Sequence, residues 1–187
     1  MSNYLDYNAS TPIDPRVLNV MIDAFKNKYG NADSRTHAFG ESARRIVEES
    51  RGNIAELLDI NKDEVFFTSG ATESDNISIL GLQEYAEKFS KKHIITTAIE
   101  HKAVLEPLSV LESKGFEVTY IKPDINGRIN PDEVLSNVRN DTLLVSVMHT
   151  NNETGVIQPI DIIGEALDKT DVFFHAVSYT HLTLPTT

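Results

Sequence analysis

The 187-residue chain contains no cysteine, which excludes a disulfide framework, a thiolate metal site and a cysteine nucleophile on this polypeptide. Basic residues are scarce: 17 Lys plus Arg against 28 Asp plus Glu leave a formal net charge of −11. A nucleic-acid-binding surface depends on clustered Lys and Arg, so this balance argues against one. No stretch approaches the roughly 18 uninterrupted apolar residues of a membrane helix. Residues 1–6, MSNYLD, have neither the basic start nor the apolar run of a signal peptide, and the cytoplasm is the expected location. What is present, 40% hydrophobic and 24% charged residues, is the composition of a soluble globular domain with a real core.

Two helical patterns come first. Asp14 and Pro15 form an N-cap and N1 pair ahead of Val17, Leu18, Met21, Ile22 and Phe25 on one face, and Gly30 stops the run. A second pattern, from about Gly40 to Leu58, carries Ala43, Ile46, Val47, Ile54, Leu57 and Leu58. Beyond these, short runs rich in β-branched and aromatic residues, at 64–68, 93–97, 117–121, 142–148 and 172–175, alternate with amphipathic segments at 72–89, 103–114, 131–137 and 160–167. Strand alternating with helix predicts an α/β fold: a mostly parallel sheet with helices covering it. Asn126-Gly127 reads as a turn. No internal repeat or low-complexity segment interrupts residues 1–176, whereas 177–187, VSYTHLTLPTT, has four threonines, no charge and no α/β pattern.

In an open parallel sheet a ligand sits beyond the carboxyl ends of the strands, so the residues after each predicted strand carry the functional information. Thr68-Ser69-Gly70-Ala71-Thr72-Glu73-Ser74 is a small-residue turn opening into a helix; its N–H groups and the Thr72 hydroxyl suit a phosphate, and equally an ordinary N-cap. No GxxxxGK[ST] pattern is present, which disfavours a P-loop enzyme. Glu100-His101-Lys102 places an imidazole at the mouth of the sheet, as a ligand group or as a solvated cap. His149-Thr150-Asn151-Asn152-Glu153-Thr154-Gly155 is a dense polar cluster, or a turn with Asn in left-handed positions. A flat aromatic cofactor with a phosphate accounts for all three: anchor at 70–72, stacking imidazole at 101, hydrogen bonds from 152.

LDYNASTP (5–12), GNADSRTHAFG (30–40), FTSGATESDN (67–76), HIITTAIEHKAVL (93–105) and VSVMHTNNETGVIQP (145–159) resemble, in order and at matching separations, the cysteine desulfurases of the class V aminotransferase group, in particular the branch that supplies sulfur for iron–sulfur cluster assembly. The similarity runs from about residue 3 to Ala176. It implies part of the large domain of a fold-type I pyridoxal-phosphate-dependent transferase, with helices on both faces of the sheet. It implies pyridoxal 5'-phosphate as cofactor and L-cysteine as substrate, with L-alanine and an enzyme persulfide as products. It further implies a homodimer and a sulfur-acceptor or iron–sulfur scaffold protein as partner. Residue by residue, Ala71 and Thr72 match the phosphate-binding turn. His101 matches the imidazole that stacks on the ring and assists proton transfer, and is the one catalytic residue carried over. Asn152 matches a cofactor contact, and Asn8 falls in the motif near the substrate entrance.

The departures bear equally on function. Where the family continues His-x-Asp-Ala-x-Gln, this chain has His175-Ala176-Val177-Ser178-Tyr179-Thr180, so the Asp that pairs with the pyridine nitrogen is replaced by Val177. The family's Schiff-base lysine, catalytic cysteine and small C-terminal domain are not found in these residues. The expectation is therefore an N-terminal fragment (1–176) with a non-family tail (177–187), inactive by itself, because a lysine nucleophile and an acidic ring partner are what make this cofactor work. Alternatives are a noncatalytic binding fragment, another class V enzyme such as selenocysteine lyase, and a metal-dependent hydrolase built on His93, His101, His149 and His175 with Glu100 or Glu153. The last lacks HExxH spacing, and no metal ligand set is expected.

Overall fold

A computed structural model describes residues 4–5 and 10–178. The chain forms two compact units, Met1–Phe67 and Thr68–Thr187. Among the described residues no helix is long and apolar enough to cross a membrane.

In the first unit, helix α1 (Pro15–Asn27) begins as its sequence predicts, with the Asp14 carboxylate accepting the Arg16 N–H at 2.7 Å and Pro15 in the first turn. Its apolar stripe is formed but buries nothing: Leu18, Met21 and Ile22 remain about two-fifths exposed and Phe25 more so. Helix α2 (Ala38–Leu58) starts two residues before Gly40, because His37 Nδ1 accepts the Gly40 N–H at 3.1 Å and serves as the cap. A Cβ on Gly40 would lie 2.3 Å from the Ser34 carbonyl oxygen, so only glycine admits this close approach. Arg44 fixes the preceding loop by donating to the carbonyls of Ala32 (3.0 Å) and Ser34 (2.8 Å). The expected strand at 64–68 does not form. Val65 is extended after a 3-10 turn at Lys62–Glu64, but it has no ladder partner among the described residues, and its carbonyl is taken by the Arg51 guanidinium. Phe66 and Phe67 are exposed.

The second unit is a parallel sheet of four strands, β1 (His93–Thr97), β2 (Glu117–Ile121), β3 (Thr142–Ser146) and β4 (Phe173–His175), in the order β2-β1-β3-β4. Strands β1 and β3 are buried along their whole length, including the polar His93, Thr96, Thr97, Thr142 and Ser146, so neither shows the alternation of a strand with one solvated face. Successive side chains point to opposite faces. Ile94 and Leu144 pack with Val104, Leu108 and Leu111 of helix α5 (Lys102–Ser113), and with Ile79 of α3 (Ala71–Leu80) and Ala86 of α4 (Gln83–Phe89). Ile95 and Val145 pack on the other face with Val134 of α6 (Pro131–Ser136) and with Ile163 and Leu167 of α7 (Ile160–Leu167). Helices thus cover both faces. The single helix expected over 72–89 is two, broken at Gly81-Leu82 where Gly81 ends α3.

Residues 176–178 continue alongside the segment that follows β3: the His149 N–H donates to the Val177 carbonyl at 2.9 Å, and Val177 is buried in the α3–α5 core. Of the expected tail, 179–187 lie outside the described residues.

Candidate functional site

From β1 the chain crosses to β2 by way of α5 on one face, and from β3 it crosses to β4 by way of α7 on the other. The loops leaving the adjacent strands β1 and β3 therefore part in opposite directions at their carboxyl ends. Such a switch point leaves a crevice that a ligand can enter. Here the crevice is a pocket of about 480 Å³ whose walls include Ile99, Glu100 and His101 after β1 and Asn151, Asn152 and Thr154 after β3.

His101 is the N-cap of α5: its Nδ1 accepts the Ala103 N–H at 3.1 Å. That bond leaves the proton of the neutral ring on Nε2. On the opposite lip, residues 149–158 make a tight hairpin. Thr150 bridges Ile157, and Gly155 rather than an asparagine takes the left-handed position with φ 74°. The buried Asn151 side chain organises the hairpin, its Oδ1 accepting from Glu153 N–H (3.0 Å), Thr154 N–H (2.9 Å) and Thr154 Oγ1 (3.0 Å). Asn152 follows it on the pocket wall, half-buried.

The turn at 68–72 meets the same end of the sheet. Gly70 is the N-cap of α3 without a side-chain cap, and helix geometry leaves the Ala71 and Thr72 N–H groups no intrahelical acceptor. A Cβ added at Gly70 would meet nothing within 4 Å, so the helix start opens onto free space. The turn is braced from within by Thr68 Oγ1 and Ser74 Oγ at 2.7 Å. The Ser69 N–H binds the Glu73 carboxylate and holds it below the ordinary carboxylate range. One turn into α3, buried Asp75 stands 3.5 Å from Nε2 of His175 at the end of β4, and His175 Nδ1 is hydrogen-bonded to Ser146 Oγ at 2.9 Å. Since α3 packs beside α5, Ala71 and Thr72, His101 and Asn152 are gathered at one end of the sheet, as the sequence predicts. Asn8 lies outside the described residues.

Two residues that the sequence did not single out for this role join the loops beneath the pocket. Glu100 Oε1 accepts from the Thr97 hydroxyl at 2.9 Å and from the Met148 N–H at 2.7 Å. Its Oε2 is buried with no hydrogen-bond partner among the described residues. Burial raises its pKa to about 7 against those two bonds. Asn151 Nδ2 donates to the Ile99 carbonyl at 3.1 Å. The histidines of the hydrolase alternative do not converge. His93 sits at the amino end of β1 between the hydroxyls of Thr142 and Thr119, and His149 bonds Ser178. Among the described residues no group of three His, Asp or Glu is placed to hold a metal ion.

The residues here suit a cofactor with a phosphate and a flat ring at the anchor, at the imidazole and at Asn152 on the pocket wall. The α3 start offers N–H donors to an oxyanion, and the His101 imidazole offers a flat face at the pocket lip. The contact to the ring nitrogen differs, because Val177, in the place of the family's acidic residue, is buried among apolar side chains and offers no charge there.

The chain is similar to known proteins over most of its length. Residues 3–178 match the family described as aminotransferase class-V. A curated relative, cysteine desulfurase IscS of Stutzerimonas stutzeri (strain A1501), is 51% identical over 175 residues, which are 92% of this chain and 43% of that protein. A solved structure described as a NifS-like protein superposes with a TM-score of 0.90 at 42% identity, covering 95% of this chain and 49% of the other. A second, described as SspA in complex with cysteine, gives 0.87 at 38% identity, covering 94% and 50%. The chain thus spans about half the length of these proteins or less. With the switch-point pocket, the α3 turn and the family match all in residues 3–178, the chain belongs to the pyridoxal-phosphate-dependent aminotransferase class-V family.

Proposed function

We propose that residues 1–176 are the N-terminal segment and part of the cofactor-binding large domain of a cysteine desulfurase, and that residues 177–187 are a tail foreign to it. The parent enzyme takes sulfur from L-cysteine, releases L-alanine and passes the sulfur as a persulfide to an acceptor or scaffold for iron–sulfur clusters. It acts as a cytoplasmic homodimer. One observation carries this reading: His101 and Asn152 face one pocket at the β1/β3 switch point, with the Ala71-Thr72 helix start at the same end of the sheet. The relatives named for cysteine desulfurase, and the related structure named for its complex with cysteine, support the substrate.

Pyridoxal phosphate, when bound, supplies an aldehyde that captures an amino group and a ring that draws electrons from the adjacent carbon. Ala71 and Thr72 would hold the phosphate by their N–H groups and the Thr72 hydroxyl, aided by the positive end of α3. His101 would offer its ring face to the cofactor, with Nε2 available to hold a proton there, while Nδ1 stays fixed to α5. Asn152, on the pocket wall, would offer its amide to the cofactor. With no cysteine, this chain has no thiol to carry a persulfide.

Assay of the full-length parent with L-cysteine and pyridoxal phosphate tests the proposal. Alanine and sulfide released together support it, whereas ordinary transamination without sulfide release contradicts it. For the 187-residue chain, cofactor binding is noncovalent: after borohydride treatment, mass spectrometry finds no modified lysine. Stoichiometric labelling at one lysine with sulfur release from cysteine would contradict this part.

A further inference from the structure

We propose that Glu100 is a positioning residue for the cofactor pocket: its carboxyl fastens the loop bearing His101 to the end of β3 that leads into the Asn152 hairpin, and so sets imidazole and amide across from one another. The inference rests on the cofactor reading of that pocket and adds a residue to it. Glu100 is adjacent in sequence to His101, and the N–H it accepts belongs to Met148, the residue before the 149–158 hairpin. The bond crosses 48 residues of chain. Thr97, the last residue of β1, donates to the same oxygen. The Asn151 amide makes a second tie in the reverse direction, to the Ile99 carbonyl. The two lips of the crevice are thus joined twice, from the residues that immediately precede His101 and Asn152.

A carboxyl is an expensive group to bury for a purely mechanical bond, and Glu100 is only 7% exposed. Yet only one oxygen is used; Oε2 has no partner among the described residues. A glutamine is the isostere of the neutral acid and keeps the accepting Oε1. If the role is positional, glutamine replaces glutamate without loss and alanine does not.

The experiment uses the chain as it is. In the wild type, Glu100→Gln and Glu100→Ala, amide exchange at Met148 and the imidazole ¹⁵N signals of His101 are recorded without cofactor, and pyridoxal phosphate is then titrated in. Expected are slow Met148 exchange and one sharp set of His101 signals in the wild type and Glu100→Gln. In Glu100→Ala, exchange is fast, the His101 signals are shifted or broadened, and the dissociation constant is about tenfold weaker, the loss of roughly one hydrogen bond. Unchanged His101 signals in a folded Glu100→Ala would overturn the proposal, as would fast Met148 exchange in the wild type or a glutamine variant that behaves as alanine does. Should Glu100→Ala not fold, wild-type exchange and the glutamine comparison still decide. Should the wild type bind no pyridoxal phosphate, the cofactor reading fails, while the exchange and ring signals still decide the positioning role.

Discussion

His101 uses one ring nitrogen to cap α5 and presents the rest of its ring to the pocket, so its two roles are separable. His101→Asn retains a good N-cap residue, whereas His101→Ala costs about 1 kcal/mol of stability as well. In a full-length enzyme of the kind proposed, both substitutions are expected to lower turnover by a factor on the order of 10²; retained turnover with full cofactor occupancy would show that His101 is only a cap. Glu100 makes a pH prediction. Its pKa rises from 4.5 to about 7, first because burial disfavours the charged form, with Asp75 acting in the same sense and Met148, Thr97 and His175 opposing. Between those pH values the unfolded chain has released the proton and the folded chain still holds it. Raising the pH therefore favours unfolding, by on the order of 3 kcal/mol across the window. Glu100→Gln removes this loss, so its stability advantage over the wild type is absent below pH 4.5, grows to about pH 7 and then levels. Parallel stability curves would contradict the assignment. His101 and Asn152 were legible in the sequence because polar residues clustered after apolar strands. Glu100 and Asn151 were not, because nothing in the string EH or NN tells which neighbour turns inward beneath the pocket.

Helix α1 shows what an element's own sequence can and cannot specify. Its cap, its proline and its stripe were all legible, yet the stripe is exposed in the described residues. Met21→Ser and Ile22→Ser should each shift the stability of this chain by no more than about 0.5 kcal/mol. Val104→Ala in α5, at a fully buried position, should cost about 1–3 kcal/mol. Chemical denaturation compares them, and equal losses would mean that α1 is buried in solution. Strands β1 and β3 were readable from composition, but 64–68 was misread because a strand exists only when another strand pairs with it, and propensity cannot supply the partner. The break after α3 carried a signal in Gly81, the weakest helix former within an otherwise continuous pattern.

At the scale of the molecule, sheet order rather than any single motif makes the site. The order β2-β1-β3-β4, with α5 and α7 on opposite faces, sends the two loops apart and opens a pocket between them. Alternation of strand and helix made the fold class legible, but the side of the sheet on which each crossover lies depends on packing between distant segments, which a single sequence does not display. On the proposed function, pyridoxal phosphate binds at this pocket. Titrating the 187-residue chain with pyridoxal phosphate while following amide hydrogen exchange tests it most directly. Saturable binding that protects residues 70–73, 98–102 and 148–154 is the predicted result; no saturable binding, or protection confined to other segments, would contradict it.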